Sequence, residues 1–189
     1  MKKALSRFIL KLFGWKVVVQ VPDLKKCVIC VAPHTSNWDF IIGKLAYLSI
    51  GRYAGFMIKK SWFFFPLNLI FKAMGGVPVD RKQRSELTDQ IVEQFNCRGR
   101  FSIAITPEAT RKRNNDWKKG FYFIALKAHV PIVLAYIDYK KKEVGLSRIF
   151  IPTGDYDRDI VTIKDFYKDV TARNSLSLGN IILDRKSVV

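Results

Sequence analysis

The chain has 189 residues, enough for one domain with a full hydrophobic core, and three cysteines, Cys27, Cys30 and Cys97, too few for a disulfide framework. Its composition is 49% hydrophobic and 13% aromatic, and 33 basic against 16 acidic side chains give a net charge of +17. A greasy and strongly basic chain points to an anionic partner such as lipid head groups, nucleic acid or a phosphorylated substrate. The charge is uneven, since residues 1–60 hold 11 Lys and Arg against Asp23 and Asp39 alone, which marks the N-terminal third as the docking face.

The first predicted element, Lys2 to Lys16, repeats apolar residues at three- and four-residue steps: Leu5, Phe8, Ile9, Leu12 and Phe13. Lys3, Arg7 and Lys11 lie mostly between them and Trp15 sits at the end, the pattern of a basic amphipathic helix lying in a membrane interface. It lacks the continuous apolar region and small-residue cleavage site of a signal peptide. Lys16 to Val21 reads as a strand followed by a Pro22-Asp23 turn, and Cys27 to Ala32 as a buried strand. Cys27 and Cys30 have the spacing of a metal or redox pair, but residues three apart on a strand point to opposite faces. They are expected to be buried thiols in a reducing compartment, and no metal is expected.

The apolar strand ends in Pro33-His34-Thr35-Ser36-Asn37-Trp38-Asp39. A helix predicted over Asn37 to about Leu48 puts Asp39 in its first turn, from where the carboxylate can reach back to one nitrogen of His34. The other nitrogen can then take a proton from a substrate hydroxyl. Tyr53 to Ile58 reads as a strand, Trp62 to Met74 as an aromatic-rich helical region, and Val77 to Val79 as a short strand. No segment reaches the roughly 20 apolar residues that cross a bilayer: Phe40 to Ile50 is interrupted by Lys44, and Trp62 to Phe71 by Pro66 and Asn68. The Trp62-Phe63-Phe64-Phe65 run reads equally as a second membrane contact or a packed core cluster.

Met74-Gly75-Gly76-Val77-Pro78-Val79-Asp80-Arg81 combines two glycines with a planar guanidinium suited to phosphate or carboxylate; by itself it is equally a surface turn. Ser85 to Cys97 keeps helical spacing at Leu87, Ile91, Val92 and Phe95, and Arg100 to Thr106 alternates as a strand. Ile105-Thr106-Pro107-Glu108-Ala109-Thr110-Arg111 then groups an acid, a hydroxyl and a guanidinium, extended by Lys112 and Arg113; read alone it is equally a solvated basic loop. Lys119 to Ala128 is a predicted helix, and His129-Val130-Pro131 turns into the apolar strand Ile132 to Asp138. His129 has no local carboxylate and is assigned a structural role. The alternation of strands and helices predicts a single α/β domain over 1–189, with a central, mostly parallel or mixed sheet flanked by helices and an N-terminal amphipathic helix over 1–16. His34, Asp80-Arg81 and Pro107-Glu108 each follow a predicted strand, and the C-terminal ends of strands carry the sites of such sheets.

Four ordered blocks, His34 to Asp39, Gly76 to Arg81, Pro107 to Arg111 and Val130 to Val133, together resemble the glycerolipid acyltransferase superfamily, the lysophosphatidic acid acyltransferase or PlsC-like proteins. The resemblance covers residues 28–138. It implies transfer of a fatty acyl group from a thioester, acyl-CoA or acyl-ACP, to the hydroxyl of a lysophospholipid, with 1-acylglycerol-3-phosphate as the default acceptor. It makes His34 the general base and Asp39 its orienting partner. Arg81, Glu108, Thr110 and Arg111 fall where the family handles the acceptor's head group, and Pro131 in the block linked to acyl-donor binding. No cofactor beyond the thioester co-substrate is implied. The partners are an anionic membrane surface, the lysophospholipid and the CoA or acyl-carrier-protein donor, with peripheral attachment at the cytoplasmic face of the inner membrane.

This chain departs from the family at Ala109, where the third block normally has glycine. If that position takes a positive φ, alanine is strained there by roughly 1–2 kcal/mol. A lyso-aminolipid acceptor is the alternative with the same chemistry. A non-catalytic basic module binding membrane or nucleic acid is the alternative of another class. Nucleic acid is not expected, because no helix-turn-helix, RNP-like or zinc-finger pattern accompanies the charge. Gly-x-Ser-x-Gly and P-loop signatures are absent as well.

Overall fold

The computed structural model describes residues 2–80, 86–109 and 116–173. Among them run α1 (Lys2–Leu12), β1 (Lys16–Val19), β2 (Lys26–Val31), α2 (Asn37–Ile50), β3 (Gly55–Lys59), α3 (Leu67–Met74), β4 (Gly76–Val79), α4 (Leu87–Cys97), β5 (Phe101–Ile105), α5 (Gly120–Lys127), β6 (Ile132–Asp138), β7 (Glu143–Phe150) and α6 (Tyr156–Phe166). The seven strands form one sheet in the order β1-β7-β6-β2-β5-β3-β4. β2 to β6 are mutually parallel, β7 runs antiparallel to β6, and β1 is parallel to β7. This is the mostly parallel α/β sheet expected from the alternation of elements.

β2 lies between β5 and β6 and is apolar on both faces, as a central parallel strand covered by helices on each side must be. Val28, Cys30 and Ala32 face a core built with Ile91 and Phe95 of α4, Phe121 and Ile124 of α5, and Ile163 of α6. Cys27 and Ile29 face the opposite side with Tyr47 and Ile50 of α2. The two thiols therefore sit in different cores, and burial raises both pKa values, that of Cys30 to about 12. α1 packs on α2 through Leu10, which meets Ile42, Ala46, Ile137 and Val144. The Arg7 guanidinium ties the two helices by donating to the Ser49 carbonyl at 2.9 Å.

Two expectations need adjustment. The helical stretch predicted from Trp62 begins only at Leu67: Lys60–Trp62 forms a 3-10 turn, and the chain is irregular up to Pro66. Proline excludes the preceding residue from the α region, so the helix starts after it. The strand predicted to reach Val21 ends at Val19, where pairing with β7 stops at Leu146. The glycine pair has a structural cause. Gly75 closes α3 at φ +90°, and a Cβ on Gly76 would stand 2.9 Å from both Ile58 Cδ1 and the Phe71 carbonyl.

Candidate active site

Parallel pairing places the C-terminal ends of β2, β4, β5 and β6 along one edge of the sheet. The central strand, β2, delivers His34 there. Ser36 is the N-cap of α2 in extended geometry (φ −146°, ψ 154°), and Asp39, at the third helical position, completes a capping box. Asp39 Oδ2 accepts the Thr35 and Ser36 amides at 2.8 and 2.9 Å. The same oxygen lies 3.3 Å from His34 Nδ1. The capping geometry thus aims a buried carboxylate (2% exposed) at an imidazole that keeps 18% of its surface. With the proton on Nδ1 facing Asp39, the ring's lone pair is on Nε2. Burial by itself would raise the Asp39 pKa, but hydrogen bonds from His34, Tyr139, Ser36 and Thr35 outweigh it and hold the group below its ordinary value. Asp39 is an anion at neutral pH.

Glu108 reaches the same place from β5 through the turn 106–109, closed by the Ala109 amide on the Thr106 carbonyl at 3.2 Å. Its Oε2 accepts the His34 backbone N–H at 2.6 Å, and the residue is 5% exposed. Burial pushes its pKa up to about 6, further raised by Asp39 and only partly offset by the hydrogen bond and charge of His34. Ala109 has φ +54°. The position occupied by glycine in the resembling family does take the left-handed region here, and alanine carries the strain.

Arg81, Thr110 and Arg111 lie outside the described residues. Asp80, just before Arg81, follows β4 on the same sheet edge and donates its amide to Gln90 Oε1 at 3.0 Å. It is three strands from β2, roughly 14 Å at the usual strand spacing. Pro131 is not brought to this cluster. It precedes β6, and its carbonyl accepts the Val28 amide at 3.0 Å, so it stands at the opposite edge of the sheet, roughly 20 Å from His34 along the strands. His129 is exposed at φ +51°, closing α5 by donating its amide to the Leu126 carbonyl.

Two residues unforeseen in the sequence join the site. Tyr139 follows β6, and its hydroxyl donates to Asp39 Oδ1 at 2.5 Å. Arg173 donates to Ser36 Oγ at 3.0 Å and lays its guanidinium over Trp38 and Tyr139. Tyr139 carries the same signal as His34 and Glu108, a polar residue just past a parallel strand; Arg173 carries none. Chemically, the cluster offers an imidazole lone pair held in one tautomer by an anion. Among the described residues no group of three or more His, Cys, Asp or Glu side chains could hold a metal ion.

The Acyltransferase family model matches residues 16–138. The 1-acyl-sn-glycerol-3-phosphate acyltransferase of Escherichia coli K12 is 27% identical over 151 residues, covering 73% of this chain and 59% of that protein. The human 1-acyl-sn-glycerol-3-phosphate acyltransferase beta is 30% identical over 131 residues, covering 64% and 46%. The chain thus spans about three fifths or less of the length of these relatives. The crystal structure of the 1-acyl-sn-glycerophosphate acyltransferase PlsC from Thermotoga maritima superposes with a TM-score of 0.62 at 17% identity, over 95% of this chain and 76% of that one, a likeness of fold. With the family model matched over more than half its length, from β1 to the end of β6, this chain belongs to the Acyltransferase family.

Proposed function

We propose that the protein is an O-acyltransferase that moves a fatty acyl group from acyl-CoA or acyl-ACP to the hydroxyl of a lysophospholipid, with 1-acylglycerol-3-phosphate as acceptor. The observation that carries this reading is the His34–Asp39 pair at the end of the central parallel strand. An alcohol is a poor nucleophile until its proton is removed. His34 Nε2 takes that proton as the oxygen attacks the thioester carbonyl, and Asp39 stabilises the imidazolium that forms. The tetrahedral intermediate collapses to the ester and expels the thiolate, which recovers the proton. The names of the relatives support the phosphate-headed acceptor.

The acceptor would be drawn from an anionic membrane surface at the cytoplasmic face of the inner membrane. α1 supports peripheral attachment: its inward face is Ser6 and Leu10, while Leu5, Phe8, Leu12 and Phe13 are 60–69% exposed beside Lys3, Arg7 and Lys11. No helix among the described residues is long and apolar enough to cross a membrane. The test is a screen of lysophospholipid acceptors in mixed vesicles with acyl-CoA and acyl-ACP, following free thiol. Acceptor-dependent thiol release that disappears in His34→Ala is the expected result. Salt-sensitive nucleic-acid binding without thioester cleavage would replace the reading with a basic binding module.

A further inference from the structure

Resting on the dyad assigned above, the geometry points to Tyr139 as a positioning residue: its hydroxyl fixes the second oxygen of Asp39 and lowers the basicity of His34. The Asp39 carboxylate is divided between two tasks. Oδ2 serves the imidazole and the two amides of the 35–36 turn, and Oδ1 receives the phenol at 2.5 Å. These contacts set the plane of the carboxylate from both ends, and with it the orientation of the ring that Oδ2 faces.

The phenol is itself held in place. The Trp15 ring meets the Tyr139 ring edge-on, with centroids 5.1 Å apart and planes at 89°. The Arg173 guanidinium lies 6.0 Å from the ring centroid, and the Tyr139 backbone N–H donates to the Thr171 carbonyl at 2.9 Å. Trp15 lies just beyond α1, after Phe13 and Gly14, and donates its amide to the Leu10 carbonyl. The clamp on Asp39 is thus built from Trp15 just past the N-terminal helix, the residue after β6 and the segment after α6.

The electrostatic consequence has a definite sign. Burial and the neighbouring Asp39 anion keep the phenol protonated far above its ordinary range. It is therefore a neutral donor at every pH where an imidazole titrates. A donor on Oδ1 draws negative charge away from Oδ2, so Asp39 stabilises the imidazolium less than it would without the phenol. Among the described residues, the charged and titratable neighbours from the other elements are Glu108 on the turn after β5, Arg173 beside Ser36, and Cys30 and Tyr167 next to Glu108. Glu108 titrates in the imidazole range. The comparison is therefore made between proteins that all keep it.

The chain's two histidines make the test direct, because His129→Gln leaves His34 as the only imidazole. In that background the His34 ring is titrated by NMR with Tyr139 intact, as Tyr139→Phe, and with 3-fluorotyrosine at 139. The expected result is a midpoint about half a pH unit or more higher in Tyr139→Phe, and lower with fluorotyrosine, whose hydroxyl is the stronger donor. The acidic limb of the kcat/KM profile for thiol release should move with the midpoint. A folded Tyr139→Phe with an unmoved midpoint overturns the assignment. If Tyr139→Phe does not fold, the nearly isosteric fluorotyrosine decides by whether its midpoint falls. The titration needs no substrate, so absence of acyl transfer in the unsubstituted protein defeats the functional reading and leaves the Tyr139 result standing.

Discussion

Glu108 holds His34 by the backbone: its Oε2 accepts the His34 N–H at 2.6 Å from a position that is almost wholly buried. The acid of the third block thereby fastens the loop that carries the proposed base, whatever it does for an acceptor. Burial raises its pKa from 4.5 to about 6. In the unfolded chain the group ionises first as pH rises, so the native state is most favoured by this group below pH 4.5 and loses that advantage as pH climbs through 6. The window amounts to about 2 kcal/mol. Glu108→Gln keeps an amide oxygen for the His34 N–H and removes the titration. Denaturant unfolding between about pH 4 and pH 8 should show a flatter stability profile than the unsubstituted protein across this window. Parallel profiles would show that Glu108 does not titrate as described.

Asp39 has the opposite sign. Its folded pKa lies below the ordinary 3.8, so the stability it contributes is present above that pH and is lost as pH falls through the folded value. Asp39→Asn keeps one acceptor oxygen and replaces the other with a donor facing either the phenol or the amides of Thr35 and Ser36. The loss of stability should be about 1–3 kcal/mol. Acyl transfer should fall at least ~10²-fold, because the imidazole loses both its tautomer and its counter-charge. A variant that unfolds at the same denaturant concentration and transfers acyl groups at the original rate would remove Asp39 from the site.

Much of this was legible locally, because local chemistry determines it. The run Val28 to Ala32 is apolar on both faces and ends at a proline, which places His34 at a sheet edge, and Asp39 falls in the first turn of the helix read from Asn37, within reach of the ring. The opposite facing of Cys27 and Cys30 follows from the two-residue period of a strand. Pro131 illustrates the limit. Its block neighbours His34 across the β2–β6 pair, but it begins its strand where His34 follows one, so adjacency of strands separates the two residues. β7 and α6 were not anticipated at all, and Tyr139 lies 100 residues from the carboxylate it touches. Such contacts arise from the order of strands in the sheet, which no local pattern encodes.

Ala109 offers a test of backbone strain free of chemistry. At φ +54° a Cβ costs about 1–2 kcal/mol, whereas glycine adds unfolded-chain entropy of about 0.4–1 kcal/mol. The first effect is the larger, so Ala109→Gly should raise stability by about 0.5–1 kcal/mol, seen as a higher denaturation midpoint with an unchanged slope. A lower midpoint would mean that the alanine methyl makes contacts worth more than the strain it causes.

The outward face of α1 should determine membrane attachment, and the structure shows how to test it without disturbing the fold. Removing the whole helix would also remove Leu10, which is 3% exposed in the core shared with α2, β6 and β7. Phe8 and Leu12 are 64% and 69% exposed, so Phe8→Asp with Leu12→Asp leaves that core intact. Each side chain inserted into the interface contributes about 1.5–3 kcal/mol at full burial, and the new carboxylates add repulsion from anionic lipid. Co-sedimentation with phosphatidylglycerol-containing vesicles should weaken at least ~10-fold in the double variant. Lys3→Gln with Lys11→Gln should instead reduce binding mainly at low salt, where the surface potential is least screened. Undiminished binding of the Asp variant would move the attachment site to the other exposed apolar cluster, Trp62, Phe64 and Phe65 with Leu69 and Ile70 of α3.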